Sequence, residues 1–330
     1  MVRYLFRRLL YMIPTVFLIS LVSFVIIQLP PGDYLSTVVS NLSRQGQTVD
    51  PAQLVALKER YALDQPVIAQ YWKWITNIVF HLDFGQSFEY SRPVSGLLAE
   101  RLPLTLVLGI TALLFGWVVS LPAGIFSAVR RYSIGDYAMT AIAFLGIAIP
   151  GFLLALTVAY LQFRYFGKSV GGLFSPDYVD AGWNLGKLLD LLDHLWLPIV
   201  ALSIGGIGGT IRILRANLLD ELRKPYVVTA RARGLSERAL IARYPVRVAL
   251  NPFIATVGWV LPALFDGEVV VATVLGLQTT GPLLLGALQS QDMYLAGSII
   301  FIACVLTVFG TLVSDILLAL VDPRVREGYA

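Results

Sequence analysis

The chain has 330 residues, 57% of them apolar and 14% charged, with a mean hydropathy of +0.73. Soluble domains carry about 25% charged residues, so the main solvent of this chain is lipid. One cysteine, Cys304, excludes a disulfide framework, and two histidines, His81 and His194, are too few soft ligands for a zinc or iron centre without several carboxylates. A formal charge of +4 is too small to indicate nucleic acid, so the information lies in where the 25 basic residues sit.

Crossing about 30 Å of hydrocarbon takes about 20 uncharged residues. Six runs satisfy this and predict spans over Leu9–Gly32, Leu102–Val129, Tyr137–Phe163, Leu195–Ile211, Val248–Phe265 and Met293–Ser314. Arg3, Arg7 and Arg8 before the first run imitate a signal peptide, but a signal's apolar core is only about 7–15 residues long. The first run therefore reads as a retained helix, with Pro14 tolerated inside it.

Between the first two spans, Asp50-Pro51 has the form of a helix start, with Leu54, Leu57 and Tyr61 at helical spacing. The aromatics that follow, Tyr71, Trp72, Trp74, Phe80, Phe84 and Phe88, suit an interfacial belt or a small packed core better than a ligand box. In the fourth span Gly205 and Gly209 form a small-x-x-x-small pair suited to close helix packing. An unwound hinge lining a substrate path is the alternative.

Arg212 to Arg247 is far longer than the 2–8 residues or so that join adjacent helices. Leu218–Arg233 reads as a helix closed by Arg231 and Arg233, with Gly234 in the left-handed position and Ser236 capping a second helix that opens on Glu237. DNA recognition by such a helix pair fails, because both ends of the loop are tethered to the bilayer. Topogenic charge explains the arginines but not the paired helix signals. A further uncharged run, Val269–Gln291, carries Gln278, Thr279, Thr280, Gln289 and Ser290 among others, and reads as a re-entrant or interfacial segment.

Lysine and arginine are retained on the cytoplasmic side in short loops. The segment 212–247 holds nine of them and 266–292 none, which predicts both termini in the cytoplasm. Gly167-Lys168-Ser169 imitates the end of a phosphate loop, but the first glycine of that motif would fall on Gln162. An ion-coupled secondary transporter or channel usually needs ionisable residues within the spans, and the six runs contain none; Asp315, just beyond the sixth, reads as a packing carboxylate. A membrane-embedded enzyme would need paired carboxylates or histidines there.

Motifs along nearly the whole chain resemble one family. They begin with Arg3-Tyr4-Leu5-Phe6-Arg7-Arg8 and Pro31-Gly32-Asp33, and continue with Tyr61-Ala62-Leu63-Asp64-Gln65-Pro66 and Asp83-Phe84-Gly85-Gln86-Ser87. Tyr226 to Ser236 is similar to the EAA loop of that family, with Val228 and Thr229 in place of the first two letters, and Asp322-Pro323-Arg324-Val325-Arg326 is similar to its C-terminal signature. The family is the permease subunits of ATP-binding-cassette importers, in the B-type form of the dipeptide, oligopeptide and nickel group.

The resemblance implies an all-α membrane protein of six transmembrane helices with the type I importer permease fold, in a bacterial or archaeal cytoplasmic (inner) membrane. Its parts would be an N-terminal span (1–32), an extracytoplasmic segment (33–101), a five-helix core (102–321) holding the coupling loop 212–247, and a tail (322–330). It implies four kinds of partner: a C-type permease, two ATP-binding subunits that hold ATP and magnesium, an extracytoplasmic solute-binding protein, and membrane lipid. The chain itself would have no ATPase site, metal, cofactor or nucleic-acid partner. The cargo would be peptides first, with opine-like conjugates or oligosaccharides next. The residues expected to couple to the ATPase are Tyr226, Thr229, Ala230, Arg231, Gly234, Leu235, Ser236, Glu237 and Ile241.

Overall fold

The computed structural model describes residues 2–28, 64–167, 171–254 and 269–321. Within them the chain runs α1 (Val2–Gln28), α2 (Val67–His81), a two-stranded hairpin of β1 (Gln86–Ser87) and β2 (Arg92–Pro93), α3 (Val94–Val129), α4 (Ile134–Ala148) and α5 (Gly151–Phe166). It continues with α6 (Pro176–Val179), α7 (Leu185–Leu222), α8 (Pro225–Ala232), α9 (Glu237–Arg243), α10 (Pro245–Ala249), α11 (Thr280–Gln289) and α12 (Met293–Val321). Four helices, α1, α3, α7 and α12, are long and apolar enough to cross a membrane, and α4 with α5 make a fifth crossing if the bent pair is one span. The expected fifth span, Val248–Phe265, is helical to residue 254, and the rest of it lies outside the described residues. So do the helix start at Asp50-Pro51 and the C-terminal signature.

The expected third span, Tyr137–Phe163, is not one helix. It bends by 94° between Ala148 and Gly151. Proline disfavours helical backbone in the residue before it, and Ile149 is extended at φ −91°, ψ 117°. Proline alone does not dictate the break, since Pro14, Pro103, Pro122 and Pro198 stay inside unbroken helices. After the break Gly151 presses on α7, where a Cβ would stand 2.4 Å from the Ala201 carbonyl.

Helix α7 is the axis of the core. Gly124 of α3 seats Leu214, whose side chain would lie 3.0 Å from an added Cβ. The glycines that let α4 approach α7 are Gly146 and Gly208: a Cβ on Gly208 would fall 2.2 Å from the Ala143 carbonyl, and one on Gly146 2.9 Å from that of Ile204. This corrects the expected pair. A Cβ on Gly209 would meet nothing within 4 Å, and one on Gly205 only reaches the Gly146 carbonyl at 4.0 Å. The close contact does not use the i, i+4 pair; the crossing geometry turns Gly208 of α7 and Gly146 of α4 toward the neighbouring helix instead.

The run Val269–Gln291 is helical at 269–274, turns at Gly276 (φ +64°), and resumes as α11. Its apolar residues Val271, Leu275 and Leu277 pack with Leu108, Leu195 and Leu197, which joins it to α3 and α7. Two buried hydroxyls satisfy each other: Thr105 and Thr280 share a 3.0 Å hydrogen bond, and the Thr280 amide donates to Thr105 at 2.9 Å. Helices α1 and α12 pair through Gly297, where a Cβ would lie 2.3 Å from Ile27 Cγ1. At the start of this pair Arg8 meets both oxygens of Asp315 at 2.7 Å, so the carboxylate expected to serve packing anchors α1.

The hairpin is fixed to α12 by one residue. Asp292 is 1% exposed. Its Oδ2 accepts from Ser87 Oγ at 2.5 Å and from the amides of Phe88 and Glu89 at 2.9 and 3.3 Å, while Oδ1 caps α12 through the Leu295 amide at 3.3 Å. Burial pushes its carboxyl up, against the pull of these donors.

Candidate functional site

The basic segment 212–247 is a compact helical corner at the end of α7. That helix runs eleven residues beyond the expected span end at Ile211, to Leu222. The single helix expected over Leu218–Arg233 is two helices. Pro225 has no amide hydrogen to donate, so it sits at the first position of a new helix, α8, after Lys224 turns extended. Glu221 bridges the gap, accepting from Lys224 Nζ at 2.6 Å and from the Tyr226 hydroxyl at 2.5 Å. Burial and this carboxylate hold the Tyr226 phenol well above the usual tyrosine range.

The turn after α8 is where expected. Gly234 has φ +79°, a left-handed conformation that costs glycine little and β-branched residues most. Helix α9 then folds back on α8. Val227, Ala230 and Leu240 close a small core, with Leu235 and Ile241 partly buried against it. Ser236 is the N-cap residue, but its side chain makes no capping bond; its carbonyl accepts from the Leu240 amide at 2.8 Å. Arg231 and Glu237 are paired across the turn, with Nη2–Oε2 at 3.1 Å, so each charge also faces the helix end that favours it. Arg231 holds the Glu237 carboxyl below the usual carboxylate range. Thr229 is exposed, and its hydroxyl donates to the Pro225 carbonyl at 3.1 Å.

The expected residues thus separate by role. Ala230, Leu235 and Ile241 build the interior of the corner, Gly234 shapes it, and Tyr226, Arg231 and Glu237 hold it from outside. Thr229, Arg231, Ser236 and Glu237 are exposed, and other side chains share that surface, with Val228 57% exposed and Arg233, Arg238, Arg243 and Arg247 also outward. After α9, Tyr244 turns the chain and Pro245 starts α10. Ala249 and Phe253 then pack with Ala128, Leu214 and Leu218, so the corner is seated on α3 and α7.

A second anchor was not expected from the sequence. Asp136, 2% exposed at the start of α4, accepts from Arg215 of α7 at 2.8 Å (Nε) and 2.7 Å (Nη2). It also accepts from the Ser127 hydroxyl of α3 and from the Tyr132 amide at 2.8 Å. One carboxylate thus joins three helices just before the corner. Its available signal was Ser133-Ile134-Gly135-Asp136, a capping pattern that the structure uses when Ser133 accepts from the Asp136 amide at 3.2 Å. Beside it, Tyr132, Tyr137, Phe144, Ile147 and Arg212 line a cavity of about 280 Å³ between α4 and α7.

The phosphate-loop imitation has the wrong setting. Gly167 closes α5 in the left-handed conformation, whereas a phosphate loop follows a strand and opens a helix. Lys168 and Ser169 lie outside the described residues.

Residues 120–327 match the family described as the binding-protein-dependent transport system inner membrane component, and residues 1–109 match the N-terminal membrane component of such systems. The chain belongs to this family. It is 34% identical to the oligopeptide transport system permease protein AppB of Bacillus subtilis, over 99% of this chain and all of that one. It is 29% identical to the oligopeptide transport system permease protein OppB of Haemophilus influenzae over 99% of this chain and all of that one, and 32% identical to the inner membrane ABC transporter permease protein YejB of Escherichia coli O157:H7 over 98% of each. Among solved structures, an inward-facing form of the MetNI methionine ABC transporter superposes with a TM-score of 0.52 at 18% identity, covering 68% of this chain and 96% of that one. The fold is therefore the type I importer permease fold, and the protein is a multi-pass permease subunit of an ATP-binding-cassette importer. As such it works with a partner permease, an ATPase and a solute-binding protein.

Proposed function

We propose that this subunit forms half of the translocation pathway for peptides, alongside a C-type permease. Two separate subunits bind ATP and magnesium, and one of them grips the corner made by α8 and α9. The names of the relatives AppB and OppB support a peptide cargo delivered by an extracytoplasmic solute-binding protein. The contrast between nine basic residues in 212–247 and none in 266–292 supports cytoplasmic termini and a corner on the ATPase side.

The observation that carries this reading is mechanical. The corner has its own small core and a basic, partly apolar outer face, and it is joined through the Glu221 contacts to α7, the helix on which α3, α4 and α5 all pack. A displacement of α9 is therefore transmitted to the spans as a movement of packed elements rather than absorbed by a loop. Gly234 tests it. Gly234→Val forces a β-branched residue to φ +79°, while Gly234→Asn tolerates that conformation. The valine variant should insert in the membrane yet lose the ATPase on purification and lose ATP-driven uptake, and the asparagine variant should keep both. Normal uptake by the valine variant would refute the coupling role.

A further inference from the structure

Helix α2 has three different faces. Tyr71, Trp74 and Ile78 are buried against α1 and α12, with the Tyr71 hydroxyl 2.7 Å from Ser20 Oγ and the Trp74 ring 5.7 Å from Phe301. Gln70, Asn77 and His81 form a polar edge. The third face is apolar and uncovered: Ile68 is 73% exposed, Trp72 54%, Val79 63% and Phe80 76%.

What covers that face can be read from its surroundings. It is continuous with the exposed stripe of α1 at Phe17, Leu18 and Val22, and the Phe17 and Trp72 rings lie 6.5 Å apart. That stripe belongs to a membrane span. The one polar residue in the face, Thr76, turns its hydroxyl back onto the carbonyls of Trp72 and Lys73 at 2.6 and 3.1 Å, which satisfies it without water. The helix sits at the end of α1 remote from Arg7 and Arg8, where the Gln28 side chain donates to that of Gln70 at 3.1 Å. Amphipathic rings are favoured at this depth, and a helix with one apolar and one polar side lies in the plane of the boundary.

We propose that α2 is an interfacial helix, with its Ile68–Trp72–Val79–Phe80 face immersed in phospholipid at the hydrocarbon–headgroup boundary and its Gln70–Asn77–His81 edge in headgroups and water. It braces α1 and α12 from the side. Phospholipid, rather than a protein partner, is its occupant.

The test uses the assembled importer in nanodiscs of phosphatidylethanolamine and phosphatidylglycerol, in a Cys304→Ala background. Single cysteines at positions 68, 79 and 80, and at 77 and 81, carry a nitroxide. Oxygen collisions should exceed nickel-chelate collisions at 68, 79 and 80, and the reverse should hold at 77 and 81. Nickel-dominated collisions at 79 and 80 would show water there, and protection from both probes would show a protein partner; either result overturns the proposal. Should these variants fail to assemble, brominated acyl chains read the same depth with Trp72→Phe: the tryptophan emission lost in that variant should be the lipid-quenched part. An equal quenched fraction in both proteins would also overturn it.

Discussion

Asp136 and Arg215 tie the start of α4 to α7 seven residues before that helix ends at Leu222, with two parallel hydrogen bonds inside 2.8 Å. The bond lies between the spans and the corner, so a pull on the corner reaches α3 and α4 through it as well as through α7. A bidentate pair fixes direction as well as distance. Because Asp136 is buried, loss of one partner strands the other.

Asp136→Asn should therefore lower the stability of the purified complex by about 3 kcal/mol, seen as a lower melting temperature, and should depress ATP-driven uptake. Arg215→Lys keeps the charge but not the fork and should fall between this variant and the native protein. A melting temperature unchanged by Asp136→Asn would remove the anchor from the mechanism.

Gly208 and Gly209 are neighbours with opposite predictions. An added methyl at 208 overlaps the Ala143 carbonyl, and at 209 it meets open space. Gly208→Ala should cost about 1–3 kcal/mol, and Gly209→Ala about 0.5 kcal/mol or less. Thermal denaturation of the two variants side by side checks this, and equal losses would contradict the observed crossing of α4 and α7.

Asp292 makes the hairpin clamp sensitive to pH. Its folded carboxyl titrates above the unfolded value, so folding favours the protonated form. That contribution is complete below the unfolded value and is lost as pH rises through the folded one. The melting temperature of the native complex, measured against that of Asp292→Asn, should accordingly fall as pH rises across that window. A difference that is flat or rises would show that the four donors outweigh burial.

How much of this was legible in the sequence depended on range. Hydropathy located the end of α3 at Val129 and put the start of the first span inside α1, because lipid demands long uncharged runs. Gly234 was legible because a left-handed turn has a strong local residue preference. The break at Pro225 was visible but ambiguous, since proline both opens helices and survives inside them, as Pro14 and Pro198 do here. The same ambiguity hid the bend at Ile149-Pro150. Asp136–Arg215 and Ser87–Asp292 were not legible: their partners stand 79 and 205 positions apart, and only the packing of whole helices brings them together. Which glycine of the Gly205–Gly209 run faces α4 is likewise set by a crossing angle rather than by spacing.

The docking of the corner can be measured directly with a photo-crosslinking amino acid at Val228 and at Ala239, two exposed positions on α8 and α9, in the assembled importer. Light should join both positions to an ATP-binding subunit, and the yield should change when ATP is trapped with vanadate. Crosslinks from both positions to the solute-binding protein or to lipid alone, in a complex that still transports, would contradict the proposed coupling.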